Sequence, residues 1–346
     1  MAGEEPLMLR TQRPLSPPEL AEVLAPLGTV TAHRALAGGT FSAVQAADLA
    51  DGSTVVIKTS VPDHALADGR VPLLTYERDM LATERDVLEI LTRVDGVPSP
   101  RVLLSDFTRS IAGVDILVME FLTGVPWDTV EASMSPAANA YAWEQVGAIM
   151  AAVQSVEGAL FGYPAQDFAL AAATWPAFFA RLIDATIDDA DRWGVDIEAD
   201  RMVDALAVCA QGLAGVSQPA LVHNDLWPGN VLLDPATGTV RGVVDFERAL
   251  FGDPLQDFCG SQSMNTGRVT PELLRGYEGA RSALRHDATP TGLEEDANLR
   301  LTLYRLWSLA VQLIEIVPRG FSGDWVTRHQ ATINTNRAAL FAQLGV

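Results

Sequence analysis

HNDLWPGN, residues 223–230, sets a carboxylate, Asp225, and a carboxamide, Asn230, on either side of a Pro-Gly turn. An apolar run (Val231 to Leu233), a DPATG turn and a second apolar run follow, and the last ends at Asp245. Asn230 and Asp245 are oxygen donors of the kind Mg²⁺ prefers. Asp225 is a candidate proton acceptor for a substrate hydroxyl. Far upstream, TVVIKTS (residues 54–60) carries Lys58, the only lysine among the 24 Lys and Arg of the chain. A lysine is a compact cation on a thin stem, whereas arginine is a wide planar fork. A lone lysine in an apolar run therefore suggests a site that needs one small positive charge. A solitary surface lysine is the competing explanation.

Composition narrows the function classes. A length of 346 residues suggests about two domains. Hydrophobic residues at 48 % supply a sizeable core. The start MAGEEPLMLR lacks the apolar segment of a secretory signal. FALAAATWPAFFA is the nearest approach to a membrane span and contains a proline. Cys209 and Cys259, the only cysteines, make neither a disulfide framework nor a zinc site. A cytoplasmic, reduced protein is expected. A net charge of −20 argues against nucleic-acid and anionic-membrane partners. It would attract a cationic substrate, although solubility accounts for it equally well.

Periodicity divides the chain in two. SPPE (16–19) reads as a capped helix start. TVTAHRAL, TFSAVQAADL and TVVIKTS read as strands, the last two joined by an ADG turn. YERDMLATERDVLEILTRV has helical spacing, and VPSPRVLLSDF and VDILVMEFL return to strand. After LTGVPW long helices dominate, interrupted by the β-rich patch around HNDLWPGN. The fold class is α+β and bilobal. Residues 1–124 form an antiparallel sheet with a helix and a linker, and residues 125–346 a larger, mainly helical lobe.

The ordered set matches protein-kinase patterns: H-x-D-L-x-x-x-N at 223–230, D-F-E at Asp245 where kinases have D-F-G, and VVIK at Lys58. Phosphoryl transfer asks chiefly for positioning and charge neutralisation. Asp225 would take or orient the acceptor proton. Asn230 and Asp245 would hold Mg²⁺, and Lys58 would contact the α/β-phosphates, held by a helix carboxylate. Glu84 is the first candidate for that carboxylate and Glu77 the second. His223 is expected to pack. More specifically, HNDLWPGN followed by GVVDFERALFGDPLQDF resembles the aminoglycoside phosphotransferase and choline-kinase group of small-molecule kinases. The similarity runs from about Ala35 to Phe258. It implies a protein-kinase-like fold, ATP (or GTP) as donor, Mg²⁺, and nucleotide contacts from the backbone near Glu120 to Leu122.

The chain departs from that pattern in places. Asn224 replaces a usual glycine, and Trp227 stands where many members have histidine. Against a glycine-rich phosphate loop, AGGTFSAV keeps only Gly39, so Gly39, Thr40, Phe41 and Ser42 either offer N–H groups to phosphate or form a plain turn. TPE (270–272) imitates the end of an activation segment but reads better as a helix cap. The short span before it favours a small-molecule acceptor over a protein. Asp253 and Asp257 are expected to bond the catalytic loop or cap a helix. Trp175, Trp193, Trp307 and Trp325 are expected in packing, and His33, His64, His286 and His329 on the surface or in packing. The expected acceptor is a hydroxylated, cationic small molecule such as an aminoglycoside or related antibiotic. A metabolite kinase for choline, homoserine or a sugar would use identical residues, and a non-catalytic nucleotide-binding protein is a third reading. A monomer or homodimer is expected.

Overall fold

The computed structural model describes residues 11–36, 41–61, 73–164, 170–285 and 295–346. Helix α1 (Pro17–Leu24) precedes strands β1 (Val30–Ala35), β2 (Ala43–Leu49) and β3 (Thr54–Ser60). Helix α2 (Met80–Leu91) and strands β4 (Val102–Asp106) and β5 (Asp115–Glu120) follow. The five strands form one antiparallel sheet in the order β1-β2-β3-β5-β4.

Strand alternation decides where the lysine goes. Val55 and Ile57 of β3, with Ile116 and Val118 of β5, pack on one face with Leu20 and Leu24 of α1. Side chains one residue out of step point the other way. Leu117 and Met119 therefore join Val87, Leu88 and Leu91 of α2 in a second core. Lys58 sits opposite Leu117 in the β3–β5 register and shares that α2-facing side. Helix α2 buries Met80, Leu81, Glu84, Val87, Leu88 and Leu91, a stripe at helical spacing, so Glu84 lies on the face turned toward the sheet.

Helix α2 starts later than its sequence suggests. Tyr76 and Glu77 precede it, and Asp79 has φ 50°. The lead-in is held instead by the helical lobe. Thr75 donates its N–H and hydroxyl to Asp189 at 2.6 and 2.8 Å, and Glu77 is paired with Arg319.

Helix α1 begins as SPPE suggests. The Glu19 carboxylate accepts from the N–H and hydroxyl of Ser16, both at 2.8 Å, and pairs with Arg13. These bonds hold Glu19 down at about 2, Arg13 contributing most. A depressed carboxylate stabilises the fold above its unfolded pKa and loses that contribution as pH falls. Glu19→Ala should thus cost about 1 kcal/mol at pH 7. The difference from wild type in denaturant melts should shrink as pH drops from the ordinary glutamate range toward about 2.

The second lobe opens with β6 (Val125–Pro126), the short α3 (Trp127–Val130) and α4 (Pro136–Val153), whose Ser135 cap accepts from the Ala138 N–H at 3.1 Å. Helices α5 (Trp175–Trp193), α6 (Ala199–Val208) and α7 (Ala210–Ala214) follow. The helical run from Ala199 to Ala214 breaks at Cys209, which separates α6 from α7. Strands β7 (Ala220–Val222), β8 (Val231–Asp234), β9 (Thr239–Val243) and β10 (Leu250–Gly252) form the ordered sheets β6-β8-β9 and β10-β7. Helices α8 (Leu255–Ser261), α9 (Pro271–Arg285), α10 (Glu295–Glu315) and α11 (Asp324–Leu344) complete the lobe. Trp175 and Trp307 are buried and Trp193 is partly so. Trp325 departs from the packing expectation: it is 48 % exposed, against Phe321 and His329. His33 is exposed and His329 partly buried, while His64 and His286 lie outside the described residues. Among the described residues no helix is long and apolar enough to cross a membrane.

Candidate active site

Strands β8 and β9 pair so that Val231 faces Val243, and the Val244 N–H donates to the Asn230 carbonyl at 3.0 Å. That register brings Asn230 beside the end of β9, where Asp245 turns the chain at φ 71°. The backbone strain of a non-glycine residue in this region is typical of positions fixed by function. Asp245 Oδ1 meets Lys58 Nζ at 2.7 Å, across the two lobes. The same ammonium donates to both oxygens of Glu84, at 2.8 and 2.7 Å. Glu84, not Glu77, is the partner of Lys58. Burial acts to lower the Lys58 ammonium, but Asp245 and then Glu84 outweigh it and raise it above the ordinary lysine range. Burial acts to raise Asp245, yet Lys58 holds it below the ordinary range.

Asp225 lies near Asp245 with 32 % of its side chain exposed. Burial of the loop pushes its carboxyl up to about 7, against the pull of Arg248, whose Nε stands 3.8 Å from Oδ2. The Asn230 amide donates to the Asp225 carbonyl at 2.8 Å, which ties the two ends of the loop. His223 packs, as expected for it: its ring lies 4.3 Å from that of Phe246 and its Nε2 contacts the Val244 carbonyl at 3.1 Å. Burial lowers His223 to about 4, which keeps it neutral and unsuited to holding phosphate charge.

Behind the loop, Asp257 accepts from the Asn224 N–H and from Gln154, both at 2.8 Å. Asp253 accepts from the Leu255 N–H at the start of α8, from Tyr304 and from Arg300. Gly260 of α8 packs so close that an added Cβ would sit 2.8 Å from the Asn224 carbonyl and 3.0 Å from the Asp225 nitrogen. Gly260→Ala must therefore shift catalytic-loop backbone. It should cost roughly 1–3 kcal/mol of stability and lower turnover at least about tenfold through misplacement of Asp225. Melts and steady-state rates on one preparation would check both.

The oxygen donors suit a hard cation. Asn230 Oδ1 and Asp245 Oδ2 accept no hydrogen bond among the described residues. Glu84, Asp245 and Glu247 each present a carboxylate oxygen, all within 4.8 Å of one another. Sequence reading passed over Glu247, although its place after Asp245-Phe246 was visible. Its carboxyl is buried, and burial and then Asp245 push it well above its ordinary range. Sequence reading also missed Arg248, whose partners are remote: Glu315 at 2.8 Å, Glu77 at 3.9 Å and Asp225. Arg319 and the Tyr76 hydroxyl complete this buried group through Glu315, at 3.1 and 2.8 Å.

The remaining candidates are more scattered. Gly39 and Thr40 lie outside the described residues. Phe41 tucks its ring against Leu73 and Met80, and the Ser42 hydroxyl reaches Glu247 at 3.4 Å. Glu120 commits its N–H to the Arg101 carbonyl and its carboxylate to the Arg101 side chain. The N–H and C=O of Leu122 enter no hydrogen bond among the described residues, which leaves them available at the lobe junction.

Comparison with known proteins adds the decisive observation: residues 49–294 match the model of the APH family, described as the phosphotransferase enzyme family. The chain belongs to that family. The match spans all of the motifs from Lys58 to Asp257. This phosphotransferase has no match among curated protein sequences. Its fold is shared with solved structures. Aminoglycoside phosphotransferase APH(4)-Ia is 18 % identical, with 96 % of this chain and 100 % of that chain covered and a TM-score of 0.61. A thermostable mutant of that enzyme, in a ternary complex with AMP-PNP and hygromycin B, is 18 % identical over 94 % and 98 % of the two chains, TM-score 0.61. A candidate fructosamine-3-kinase from Thermobifida fusca YX-ER1 is 23 % identical over 93 % and 97 %, TM-score 0.59. The phosphotransferase is therefore a small-molecule kinase of bilobal, protein-kinase-like α+β fold.

Proposed function

We propose that this phosphotransferase moves the γ-phosphoryl group of ATP (or GTP) to a hydroxyl of a small molecule. The observation that carries this reading is that Lys58 bonds Asp245 across the lobes while the partly exposed Asp225 lies close enough to feel the charge of Asp245. In the proposed step the acceptor oxygen bonds to the γ-phosphorus as its proton passes to Asp225. The bond to the bridging oxygen of the nucleoside diphosphate breaks, and that oxygen keeps the electron pair. Lys58, steadied by Glu84, would hold the α/β-phosphates, and Leu122 backbone groups the base. Asn230 and Asp245, with Glu247 nearby, would hold Mg²⁺, which when bound neutralises phosphate charge. Residues 1–124 would cover the nucleotide and residues 125–346 would carry the acceptor. A cytoplasmic location would supply the nucleotide.

The sequence directs attention to an aminoglycoside or related antibiotic as acceptor, with resistance as the outcome, and the AMP-PNP and hygromycin B complex of APH(4)-Ia supports testing that class. The compensated charges beside Asp225 favour the second reading, a metabolite kinase. The test is an acceptor screen with purified protein, Mg²⁺ and either nucleotide, read as the mass gain of one phosphoryl group. Transfer to at least one hydroxylated acceptor, lost in Asp225→Ala, is expected. Nucleotide binding without transfer to any member of a broad panel would overturn the catalytic reading.

A further inference from the structure

Helix α10 is apolar and buried along most of its length: Leu306, Leu309, Ala310, Leu313 and Ile314 all enter the core. Arg305, Ser308, Gln312 and Glu315 break that pattern on one side. At a helix's angular step they fall within roughly 80° of one another. Ser308 and Gln312 are partly exposed between buried Arg305 and buried Glu315, and Gln312 donates to the Ser308 hydroxyl at 3.3 Å.

Two members of this stripe approach the catalytic loop. Glu315 holds Arg248 at 2.8 Å, and Arg248 Nε stands 3.8 Å from Asp225. Ser308 lies beside the thiol of Cys259, and the next residue, Gly260, abuts the Asn224–Asp225 backbone. Two partly exposed polar side chains of a buried helix thus lie on the side of α10 whose neighbours touch this loop.

The charges of the wall are also set. Glu315, the one carboxylate of the stripe, is engaged by Arg248, Arg319 and the Tyr76 hydroxyl. Arg305 is 2 % exposed, and its Nε and Nη2 have no hydrogen-bond partner among the described residues. The uncompensated charge on the stripe is thus positive, while the groups open to a ligand are a hydroxyl and a carboxamide.

We propose that Ser308 and Gln312 of α10 form the acceptor-recognition wall, and that it takes an uncharged polyhydroxylated acceptor in preference to a polycation. The proposal rests on the kinase reading above and narrows its acceptor. A hydroxyl and an amide donate to and accept from sugar-like hydroxyls. Among the described residues of this stripe a polyammonium acceptor meets no carboxylate left uncompensated, and the buried Arg305 behind it adds positive charge.

The test measures phosphoryl transfer from Mg·ATP to neutral probes (methyl glucoside, trehalose, inositol) and to hygromycin B as the cationic probe, in wild type, Gln312→Ala, Gln312→Glu and Ser308→Ala. Expected is transfer to at least one neutral probe with a higher kcat/KM than to hygromycin B. Gln312→Ala should raise that probe's KM about tenfold, the size of one lost hydrogen bond, with kcat and the ATP KM within about twofold. Ser308→Ala gives the same split if one of the two substitutions disturbs folding. The isosteric Gln312→Glu should shift preference toward hygromycin B by adding a free carboxylate. Preference of wild type for hygromycin B, transfer to no neutral probe, or acceptor KM values unmoved by all three substitutions would overturn the proposal. Transfer to hygromycin B alone would do so while leaving the kinase reading intact, whereas ATP binding with no transfer to any acceptor would remove both.

Discussion

Asp225→Asn should lower phosphoryl transfer by about 10³-fold, the range of a lost general base, while nucleotide affinity stays within about twofold. The substitution keeps the side-chain volume. The loop should keep its shape, because the Asn230 amide is bonded to the Asp225 backbone carbonyl rather than chiefly to its carboxylate. Stability moves the opposite way from activity. Burial has raised the Asp225 carboxyl to about 7, so its charged form is disfavoured in the folded state relative to the unfolded chain. A group raised in this way withdraws stability as pH climbs from its unfolded value through about 7. A neutral asparagine removes that withdrawal. Equal or higher melting temperature at pH 8 with lost turnover is therefore expected. Near-wild-type turnover in the purified variant would show that Asp225 does not serve the acceptor hydroxyl.

Lys58→Arg carries the second large effect. The ammonium occupies a slot only 9 % exposed, between both oxygens of Glu84 and one of Asp245. A guanidinium preserves the charge but needs more width and a planar approach. Overpacking should cost roughly 1–3 kcal/mol of stability. The displaced cation should lower kcat/KM for ATP about 100-fold, in keeping with the sensitivity of phosphoryl transfer to placement. Lys58→Met separates charge from shape: it leaves Glu84 and Asp245 without their shared cation, a loss of about 3–5 kcal/mol. Denaturant melts should order the proteins wild type, Arg, Met. Unchanged nucleotide kinetics in Lys58→Arg would mean that the single lysine of the chain is incidental to catalysis.

The parts that could be read from sequence are those whose physics is local or periodic. Alternation in TVVIKTS put Lys58 on one face of β3, and helical spacing put Glu84 on the buried stripe of α2, so their meeting required only that the sheet lie on the helix. HNDLWPGN announced its own loop. The start of α2 was not legible, because nothing in YERDM shows that Thr75 and Glu77 bond residues more than one hundred positions away. Arg248 was missed for the same reason: its partners Glu77 and Glu315 arrive from other elements. Trp325 was assigned to packing on residue type, but it falls in the first turn of α11, just after the Gly323 N-cap, and its ring stays at the surface.

The fastening of residues 75–77 to Asp189 and Arg319 has a mechanical consequence. The lead-in of α2 is bolted to the helical lobe, while its far turns carry the five-stranded sheet. A swing of the sheet and α2 away from the helical lobe as one rigid flap would have to break the Thr75–Asp189 and Glu77–Arg319 contacts, so the root of α2 resists that motion.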